Sequence, residues 1–434
     1  MVVSSQQITM DKVLAIIMAG GRGERLSILS QVRTKPAVPF AGKYRIIDFT
    51  LSNAVISGIS KVVVLTQYEP LSLADHIGIG APWGLATPDR GIRLLQPYLA
   101  REEKRDWYKG TADAIYQNLQ FIEEQNAELV LILSGDHVYS MDYSRMIGFH
   151  QDAQADVTMA VTLFPEEELE RFGTVMVDDA WQVTGFQEKV KKPKSNLVSM
   201  GVYLFKKDIL KQWLELDARN MASRHDFGRN VFPVMVGNSK IFAYKFEGYW
   251  RDIGTVQSYW QANMDLMHLF PSPLFNPGWP IRTKEDGRPA AIISETADVT
   301  NSLICDGSLI EGRVEHSVLS PGVVVAEGAV VKDTIIMNDC IIGQGSTIDY
   351  SILDKEVEVE AGCHIGFGDD FQVNRRDPKT LDSGITLIGK RARIPLGARI
   401  GRNCVVGSGV SEDDFPTHEV QSGETIMPKR IRRA

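Results

Sequence analysis

Cysteine is scarce in this sequence, with four residues among 434, and long apolar runs are missing. The spacing of the cysteines fits neither a zinc-ligand pattern nor a small disulfide framework, so we expect core thiols at Cys305, Cys340, Cys363 and Cys404. No stretch reaches 18 consecutive apolar residues, so we expect no transmembrane helix. The first ten residues lack the basic start and apolar core of a targeting peptide. These absences favour a cytoplasmic protein.

An excess of basic charge is also missing. The sequence has 47 lysine and arginine residues against 55 aspartate and glutamate residues, which gives a net charge of −8. Such a chain has no global positive field, so we expect neither nucleic acid nor an anionic membrane as a partner. Hydrophobic residues make up 44% and charged residues 24%, which is the usage of an ordinary globular protein. A site for phosphate groups must therefore be local.

The first part of the chain alternates short β-branched runs with amphipathic segments. The clearest strands are predicted at residues 13–18, 61–65, 129–133 and 157–163. Between them, Ile115, Leu119 and Ile122 recur at spacings of four and three residues, which predicts one helical face behind a candidate cap at Thr111. The alternation is typical of an α/β fold in which helices cover a mixed, mostly parallel sheet. We predict a Rossmann-like nucleotide-binding domain over residues 11–269.

The remainder of the chain has a different pattern. Residues 270–290 hold five prolines, which predicts a linker because proline removes a backbone donor and restricts φ. Beyond it, aliphatic residues recur every six positions, at Leu319, Val325 and Val331, at Ile336, Ile342 and Ile348, and at Ile388, Ile394, Ile400 and Val406. This period predicts a left-handed parallel β-helix, placed at residues 291–425, with about 18 residues per coil. The segment 366–384 interrupts the period and is predicted to form a loop.

A glycine-rich turn follows the first predicted strand. The segment VLAIIMAGGRGERL places Gly20, Gly21 and Gly23 directly after a buried run, together with Arg22 and Arg25. Glycines let backbone N–H groups approach phosphate oxygens, and arginine offers a planar charged fork. The segment fits neither a dinucleotide fingerprint nor a Walker loop, which leaves a different phosphate site or a simple tight turn. Four basic residues that follow favour the phosphate site, namely Arg33, Lys35, Lys43 and Arg45.

Two aspartates stand where an open α/β sheet binds its ligands. Asp136 follows the strand predicted at residues 129–133, in a glycine-containing loop, and Asp252 lies in a similar setting before Gly254. Carboxylate oxygens suit Mg²⁺ held against nucleotide phosphates. A lone aspartate in a loop is more often a turn residue or a helix cap, so composition alone leaves both interpretations open.

Seven sequence blocks follow one another along the chain. They are GGRGERL, RTKPAVPFAGKYRIIDFTLSN, DWYKGTADA, LSGDHVY, SMGVYLF, HDFG and YWRDIGT, which begin at Gly20, Arg33, Asp106, Leu133, Ser199, His225 and Tyr249. In this order they resemble the glucose-1-phosphate adenylyltransferases, also called ADP-glucose pyrophosphorylases. With the terminal β-helix, the resemblance covers nearly the whole chain. It implies that glucose 1-phosphate attacks the α-phosphorus of ATP, with Mg²⁺ as cofactor, to give ADP-glucose for glycogen biosynthesis.

The resemblance also implies roles for single residues. The catalytic set is Arg22, Lys35, Asp136 and Asp252, of which the two aspartates are the metal ligands. The residues implied for ATP are Gly20, Gly21, Arg22, Arg25, Gln67, Gly110 and Thr111. The residues implied for glucose 1-phosphate are Tyr108, Gly173, Glu188, Lys189 and Ser199. A structural alternative for Lys189 is a solvated basic run that continues to Lys194, although Phe186 and Glu188 before it favour a pocket edge.

The sequence departs from the family pattern in several places. The usual Glu-Lys-Pro triplet reads Glu188-Lys189-Val190, and Val32 and Pro39 stand where some members carry a lysine for activator binding and a histidine. These departures weaken the expectation of control by a sugar bisphosphate. Contacts for a small anionic effector remain open at Arg33, Lys43 and Arg45.

Two alternatives to this enzyme stay open on the sequence. One is a non-catalytic regulatory subunit of the same fold, and the other is a pyrophosphorylase that uses another nucleoside triphosphate. The presence of all four catalytic positions favours an active subunit. The flat faces of a β-helix suit subunit contact, and the family resemblance implies a homotetramer.

Overall fold

The computed structural model describes residues 8–21, 23–87, 90–97, 107–268 and 276–429. They form two compact units. Unit 1 comprises the residues up to Gly21 together with Phe49–Trp250, and unit 2 comprises the segment between Gly21 and Phe49 together with the residues from Arg251 onward. Unit 2 therefore includes two stretches that the sequence groups with the nucleotide-binding domain. Arg22 and residues 270–275 of the predicted linker lie outside the described residues.

The strands that precede the proline-rich stretch follow the β-branched runs of the sequence. They are β1 (Val13–Met18), β2 (Pro39–Phe40), β3 (Tyr44–Arg45), β4 (Lys61–Leu65), β5 (Gly91–Leu95), β6 (Leu129–Ser134), β7 (His137–Tyr139), β8 (Val157–Leu163), β9 (Gly173–Val177), β10 (Val183–Glu188), β11 (Leu197–Lys206), β12 (Ile241–Lys245) and β13 (Trp250–Asp252). The four strands predicted most clearly are all present, and each begins and ends at or next to its predicted position.

Unit 1 is built around a nine-stranded mixed sheet. Its main path runs β10-β9-β11-β6-β1-β4-β5, and β8 joins β11 to β12. The strands β6, β1, β4 and β5 are parallel, and Ile16 of β1 stands between Ile132 and Val63. Strand β11 runs antiparallel to β6, β8 and β9. The residues from Val13 to Ile17 are at most 1% exposed, as expected for a central strand covered on both faces. The predicted α/β sheet is confirmed.

Helices lie in both units. They are α1 (Ile46–Ile56), α2 (Leu71–Ile77), α3 (Thr111–Tyr116), α4 (Leu119–Glu124), α5 (Tyr143–Asp152), α6 (Lys207–Ala218), α7 (Phe232–Met235) and α8 (Val256–His268). Ile115 and Ile122 are buried in the unit 1 core, and Leu119 packs against it. The predicted helical face is therefore present, but the chain divides it into two short helices. The N-cap of α3 is Gly110, one residue before the candidate Thr111.

Unit 2 contains a parallel β-helix made of three sheets. Its strands are β14 (Ile292–Ile293), β15 (Asp298–Thr300), β16 (Leu303–Ile304), β17 (Leu309–Ile310), β18 (Arg313–Glu315), β19 (Val318–Leu319), β20 (Val324–Val325), β21 (Val330–Lys332), β22 (Ile335–Ile336), β23 (Ile341–Ile342), β24 (Thr347–Asp349), β25 (Ser351–Leu353), β26 (Glu358–Val359), β27 (His364–Ile365), β28 (Thr386–Ile388), β29 (Arg393–Ile394), β30 (Arg399–Ile400), β31 (Val405–Val406), β32 (Glu419–Val420) and β33 (Thr425–Ile426). The sheet orders are β14-β17-β20-β23-β26-β29, β15-β18-β21-β24-β27-β30-β32 and β16-β19-β22-β25-β28-β31-β33.

The aliphatic residues of the six-residue period fill the interior of the β-helix. All ten that the sequence singles out are fully buried in one core. Ile292 pairs with Leu309, Leu309 with Val324 and Val324 with Ile341, so each of these coils is shorter than three six-residue repeats. The coil length therefore falls slightly below the prediction. The predicted β-helix is confirmed, and its strands extend from Ile292 to Ile426.

The insertion agrees with the sequence, and so do three of the four cysteines. Between β27 and β28 the chain forms no strand, and Asn374 of this insertion is buried, where its side-chain amide donates to the Asn403 carbonyl at 2.9 Å. All four cysteines are free thiols. Cys340, Cys363 and Cys404 are fully buried, as expected, whereas Cys305 is only partly buried, which is less than expected of a core thiol. Of the helices that the structure describes, none is both long enough and apolar enough to cross a membrane.

Candidate active site

The glycine-rich turn leaves β1 at the edge where the parallel strands end. The Ala19 amide donates to the Leu65 carbonyl at 2.8 Å, which ties the start of the turn to the end of β4. Gly21 is exposed, and a Cβ added there would contact nothing within 4 Å. A Cβ on Gly20 would lie 3.2 Å from the Gln67 Cβ. The turn therefore brings together Gly20 and Gln67, two of the residues predicted for ATP.

The side-chain Nε2 of Gln67 is a buried donor. None of the residues that the structure describes forms a hydrogen bond with it. A buried donor without a partner costs roughly 1–3 kcal/mol, so such a group is a good candidate for contact with a ligand. This observation supports the predicted role of Gln67 in binding the base of ATP.

Asp136 lies in the turn between β6 and β7. Its carboxylate accepts a short hydrogen bond from the Ser134 hydroxyl, and its Oδ1 lies 3.5 Å from the His137 Nε2. The His137 ring donates its Nδ1–H to the Met200 carbonyl at 3.0 Å, and the Trp250 ring packs edge-on against it. The Asp136 side chain is 29% exposed. The carboxylate therefore reaches solvent at the carboxyl end of the central strands.

Lys35 and Asp252 form an ion pair within unit 2. The Lys35 Nζ lies 3.1 Å from the Asp252 Oδ1, and both side chains are largely buried. Lys35 opens a short 3-10 turn, Lys35–Ala37, and Asp252 ends β13. Gly23 packs beside this lysine: its φ is +66°, and a Cβ there would lie 3.1 Å from the Lys35 Cβ. Two residues predicted for catalysis, 217 positions apart, are therefore direct partners.

The two aspartates offer the donor chemistry of a hard divalent cation. Asp136 is 29% exposed and Asp252 is 13% exposed, so both carboxylates keep access to solvent. Mg²⁺ prefers oxygen ligands, retains several water molecules and is usually bound through one or two carboxylates together with substrate phosphates. Each of the two carboxylates, taken by itself, fits such an ion.

Glu188 and Lys189 lie at the end of β10. Gly173, the first residue of β9, stands directly opposite Glu188 in the sheet register. Lys189 has a φ of 52°, and its amide donates to the Phe172 carbonyl at 3.0 Å. Its Nζ lies 3.2 Å from the Glu188 Oε1, with the lysine side chain 51% and the glutamate side chain 16% exposed. The structure thus brings together three of the residues predicted for glucose 1-phosphate.

Neighbouring residues hold the other two predicted sugar contacts in place. The Ser199 Oγ forms a hydrogen bond of 3.0 Å with the Tyr203 hydroxyl. Burial raises the pKa of Tyr203 above its usual value, so this hydroxyl stays neutral. The Tyr108 hydroxyl accepts a hydrogen bond of 3.1 Å from the Asn118 Nδ2, which also donates to the Ala114 carbonyl. Sequence reasoning did not identify either supporting residue.

The start of α3 is occupied by the protein itself. The Ala112 and Asp113 amides both donate to the His225 carbonyl, at 2.9 and 3.2 Å. A Cβ on Gly110 would lie 2.3 Å from the same oxygen. The family resemblance implies that Gly110 and Thr111 contact ATP, but the amides of the two residues that follow them already have a partner. Close packing on His225 explains the glycine at position 110.

Thr111 connects this helix start to the HDFG block. Its hydroxyl accepts from the Phe227 amide at 3.0 Å and donates to the Asp226 Oδ2 at 3.1 Å. Gly228, which follows Phe227 in the chain, lies against the Glu188 carboxylate. Thr111, predicted for ATP, is therefore linked through one short segment to a residue predicted for the sugar phosphate. The sequence identified the block but gave no sign of this contact.

The basic residues after the turn have different partners. The Arg33 Nη1 and Nη2 donate to the two Asp354 carboxylate oxygens at 2.8 and 3.0 Å, in a pair that is 3% and 0% exposed. The charge of Arg33 is thereby neutralised, which corrects its interpretation as a contact for an anionic effector. Burial and the neighbouring Arg33 lower the pKa of Arg45. Lys43 is exposed, as is Arg25 of the preceding turn.

The sequence matches known families on both sides of the proline-rich stretch. Residues 14–268 match the family described as Nucleotidyl transferase. Residues 289–388 match the family described as GlmU-like, C-terminal hexapeptide, which agrees with the left-handed β-helix.

Curated relatives match almost the whole chain. A glucose-1-phosphate adenylyltransferase of Thermomicrobium roseum is 50% identical over 96% of this chain and 98% of its own length. Enzymes of the same name from Acetivibrio thermocellus and Thermotoga maritima are each 44% identical over 96% of this chain, and the matches cover 98% and 99% of their lengths. From this similarity, the chain belongs to the glucose-1-phosphate adenylyltransferase family of nucleotidyl transferases.

Proposed function

We propose that this protein transfers the adenylyl group of ATP to α-D-glucose 1-phosphate, which yields ADP-glucose and pyrophosphate for glycogen biosynthesis. The observation that carries the proposal is the 50% identity to a glucose-1-phosphate adenylyltransferase over 96% of the chain. The carboxyl edge of the central sheet supports it, because open α/β sheets bind their ligands at this edge.

The reaction is an in-line displacement at phosphorus. A phosphate oxygen of the sugar phosphate forms a bond to the α-phosphorus of ATP, while the bond to the bridging oxygen breaks and pyrophosphate leaves. The attacking oxygen is already anionic, so no general base is needed. His137, whose Nδ1–H is committed to the Met200 carbonyl, accordingly has a structural role. Positioning and neutralisation of charge account for most of the catalysis.

Charge at the reacting phosphates is neutralised by a divalent metal ion and by basic side chains. Asp136 and Asp252 are the proposed ligands, and the bound Mg²⁺ would neutralise phosphate oxygens. The ion pair with Asp252 holds the Lys35 ammonium in one position, so this lysine would approach the phosphates without a large loss of side-chain entropy. Arg22 and Arg25 are assigned to the departing pyrophosphate.

The sugar phosphate and the base are assigned to separate groups of unit 1. The exposed ammonium of Lys189 suits the phosphate of glucose 1-phosphate, and the Glu188 carboxylate accepts from sugar hydroxyls. Tyr108, Gly173 and Ser199 complete this side. On the other side, Gly20 and Gly21 would lie against the phosphates of ATP, and the buried amide of Gln67 would donate to adenine.

Assembly and regulation form a further part of the proposal. Ile292, Leu309, Val324 and Ile341 stand in register on one face of the β-helix, and the first and last are 63% and 48% exposed. Such an apolar row suits contact with a second copy, and we assign a homotetramer.

Unit 2 also has a cavity of about 200 Å³ that would accept a small anionic effector at Lys43. It is lined by Ala41, Lys43, Tyr44, Leu303, Ile304, Cys305 and Asp306. The free thiols suit a cytoplasmic location.

Formation of product tests the proposal directly. The purified chain, incubated with ATP, glucose 1-phosphate and Mg²⁺, is expected to form ADP-glucose and pyrophosphate in equal amounts. Absence of ADP-glucose from the folded wild-type chain alone, with recovery upon addition of a second subunit type, would favour the regulatory-subunit alternative. A UDP-glucose product from UTP at higher efficiency would favour the alternative nucleotide.

A further inference from the structure

Glu188 lies in a narrow slot between two glycines. Its Oε2 would be 2.7 Å from a Cβ on Gly173 and 2.5 Å from a Cβ on Gly228. On the Gly228 side, the carboxyl carbon of Glu188 would also be only 2.9 Å away. A methyl group at either position would overlap the carboxylate, so the slot exists only because both residues lack a side chain.

The backbone does not explain these two glycines. Neither residue has a φ in the left-handed region, so other residues could adopt both conformations. Gly173 starts a β-strand, and Gly228 lies in the helical turn Phe227–Val231. Alanine is a better helix former than glycine. At position 228, glycine therefore provides the space that the Glu188 carboxylate occupies.

The main chain around Glu188 leaves little room for adjustment. Glu188 is paired with Gly173 at the end of β10, and the Lys189 amide is fixed by the Phe172 carbonyl. On the other side of the carboxylate, Oε1 faces the Lys189 Nζ at 3.2 Å. A methyl group at position 228 would therefore be accommodated by moving the carboxylate, and ordinary contact at 3.4 Å instead of 2.5 Å requires a shift of about 1 Å.

We propose that Gly228 is a positioning residue for the sugar-phosphate substrate. By leaving room for the Glu188 Oε2, it places the carboxylate where it accepts a hydrogen bond from a hydroxyl group of a hexose 1-phosphate. A displacement of about 1 Å carries such a contact beyond hydrogen-bond distance. The inference rests on the proposed function, since it takes Glu188 as the residue that binds the sugar.

Steady-state kinetics of Gly228→Ala test the proposal. Because a charged hydrogen bond is lost, the KM for glucose 1-phosphate should rise about 10- to 100-fold, whereas the KM for ATP should change less than about twofold. Gly148→Ala is the matched control: this glycine lies in α5, and a Cβ there meets nothing within 4 Å. Both constants should stay at the wild-type values in the control.

A double-mutant cycle with Glu188→Ala separates positioning from general damage. Without the Glu188 side chain, alanine at position 228 has nothing to displace, so Glu188→Ala/Gly228→Ala should match Glu188→Ala in both constants. An unchanged KM for glucose 1-phosphate in Gly228→Ala would overturn the proposal. An equal rise in the KM for ATP, or full additivity in the cycle, would overturn it as well.

Two further measurements test the proposal if Gly228→Ala is unstable or if the wild-type chain is inactive. If Gly228→Ala lowers the midpoint of thermal unfolding, the double variant should return to the midpoint of Glu188→Ala, because the overlap is gone. A double variant that stays as unstable as Gly228→Ala would contradict the claim that a Cβ at position 228 overlaps the Glu188 carboxylate. If the wild-type chain forms no ADP-glucose, the proposed function fails by itself, and calorimetric binding of glucose 1-phosphate to the same variants still decides the role of Gly228.

Discussion

Removal of the Asp354 charge should destabilise unit 2, because it leaves Arg33 buried without a counter-ion. Asp354→Asn keeps the size of the side chain and removes only the charge. In the native structure both terminal guanidinium nitrogens of Arg33 donate hydrogen bonds to this carboxylate, and the pair is 3% and 0% exposed. Loss of one member of a buried pair costs about 3–5 kcal/mol.

Two neighbouring basic residues, Arg45 and Lys355, contribute to the expected cost. Burial, followed by repulsion from Arg45 and Arg33, lowers the pKa of Lys355 to about 8. Asp354 is the acidic group that opposes this shift. Without its charge, Arg33 is left beside Arg45 and Lys355, and Lys355 can relieve part of the repulsion by losing its proton, so we expect a loss of about 3–5 kcal/mol. The variant Arg33→Met/Asp354→Leu removes both charges and should cost at least about 2 kcal/mol less than Asp354→Asn.

Hydrogen exchange followed by mass spectrometry is the suitable assay, because a chain with two units does not have one well-defined free energy of unfolding. Peptides from β22 and β25 should show opening free energies lowered by the expected amount, while peptides from β1 and β6 should change little. Opening free energies within about 1 kcal/mol of wild type for Asp354→Asn would refute the reasoning. An Arg33→Met/Asp354→Leu variant that is less stable than Asp354→Asn would refute it as well.

Four further outcomes follow from the site and the core. Asp136→Asn should lower kcat by at least about 100-fold, because each preorganised charge contributes roughly 3 kcal/mol or more to transition-state stabilisation. Near-normal turnover with unchanged Mg²⁺ dependence would show that Asp136 is not a metal ligand. Lys189→Ala should raise the KM for glucose 1-phosphate about 10- to 100-fold in initial-rate assays. A larger rise in the KM for ATP would show that this lysine binds ATP and not the sugar phosphate. Gln67→Ala should raise the KM for ATP about 3- to 10-fold with little change in the KM for glucose 1-phosphate, and equal changes in both constants would argue against a contact with adenine. Burial, together with Lys206, lowers the pKa of His150 to about 4 from its usual 6.5. The folded state therefore resists protonation, so the contribution of His150 to stability is complete above about pH 6.5 and falls by up to about 3 kcal/mol toward about pH 4. His150→Asn should flatten the pH dependence of the opening free energies that hydrogen exchange reports for peptides from α5 and β8. An identical pH slope in the variant would contradict the assignment.

The sequence predicts the repetitive part of the fold well because period and burial are directly linked. Residues six apart, such as Ile336, Ile342 and Ile348, all point into the β-helix and are fully buried. The coil length is predicted less well, since strands that pair in successive coils are closer in sequence than three full repeats. A uniform period shows that aliphatic residues stack, but the lengths of the corners between strands are not encoded in it.

The candidate site was predicted by residue type and position, whereas its internal contacts were not. The sequence singles out Asp136 as a loop aspartate after a buried strand, and the family resemblance, not the local pattern, assigns it to the metal site. The partners Arg33 and Asp354 are 321 positions apart, and neither shows in its own segment that a counter-ion exists. The same holds for Glu188 and Gly228, where the informative feature is a missing Cβ. Local patterns predict where chemistry can occur, but long-range packing decides which charges remain available.

The nucleotide preference tests the central claim most directly. Pyrophosphate release should be measured with glucose 1-phosphate, Mg²⁺ and each of ATP, UTP, dTTP, CTP and GTP at equal, subsaturating concentrations. We expect the highest kcat/KM with ATP and ADP-glucose as the product. A clear preference for UTP or dTTP would contradict the assignment of this protein as a glucose-1-phosphate adenylyltransferase.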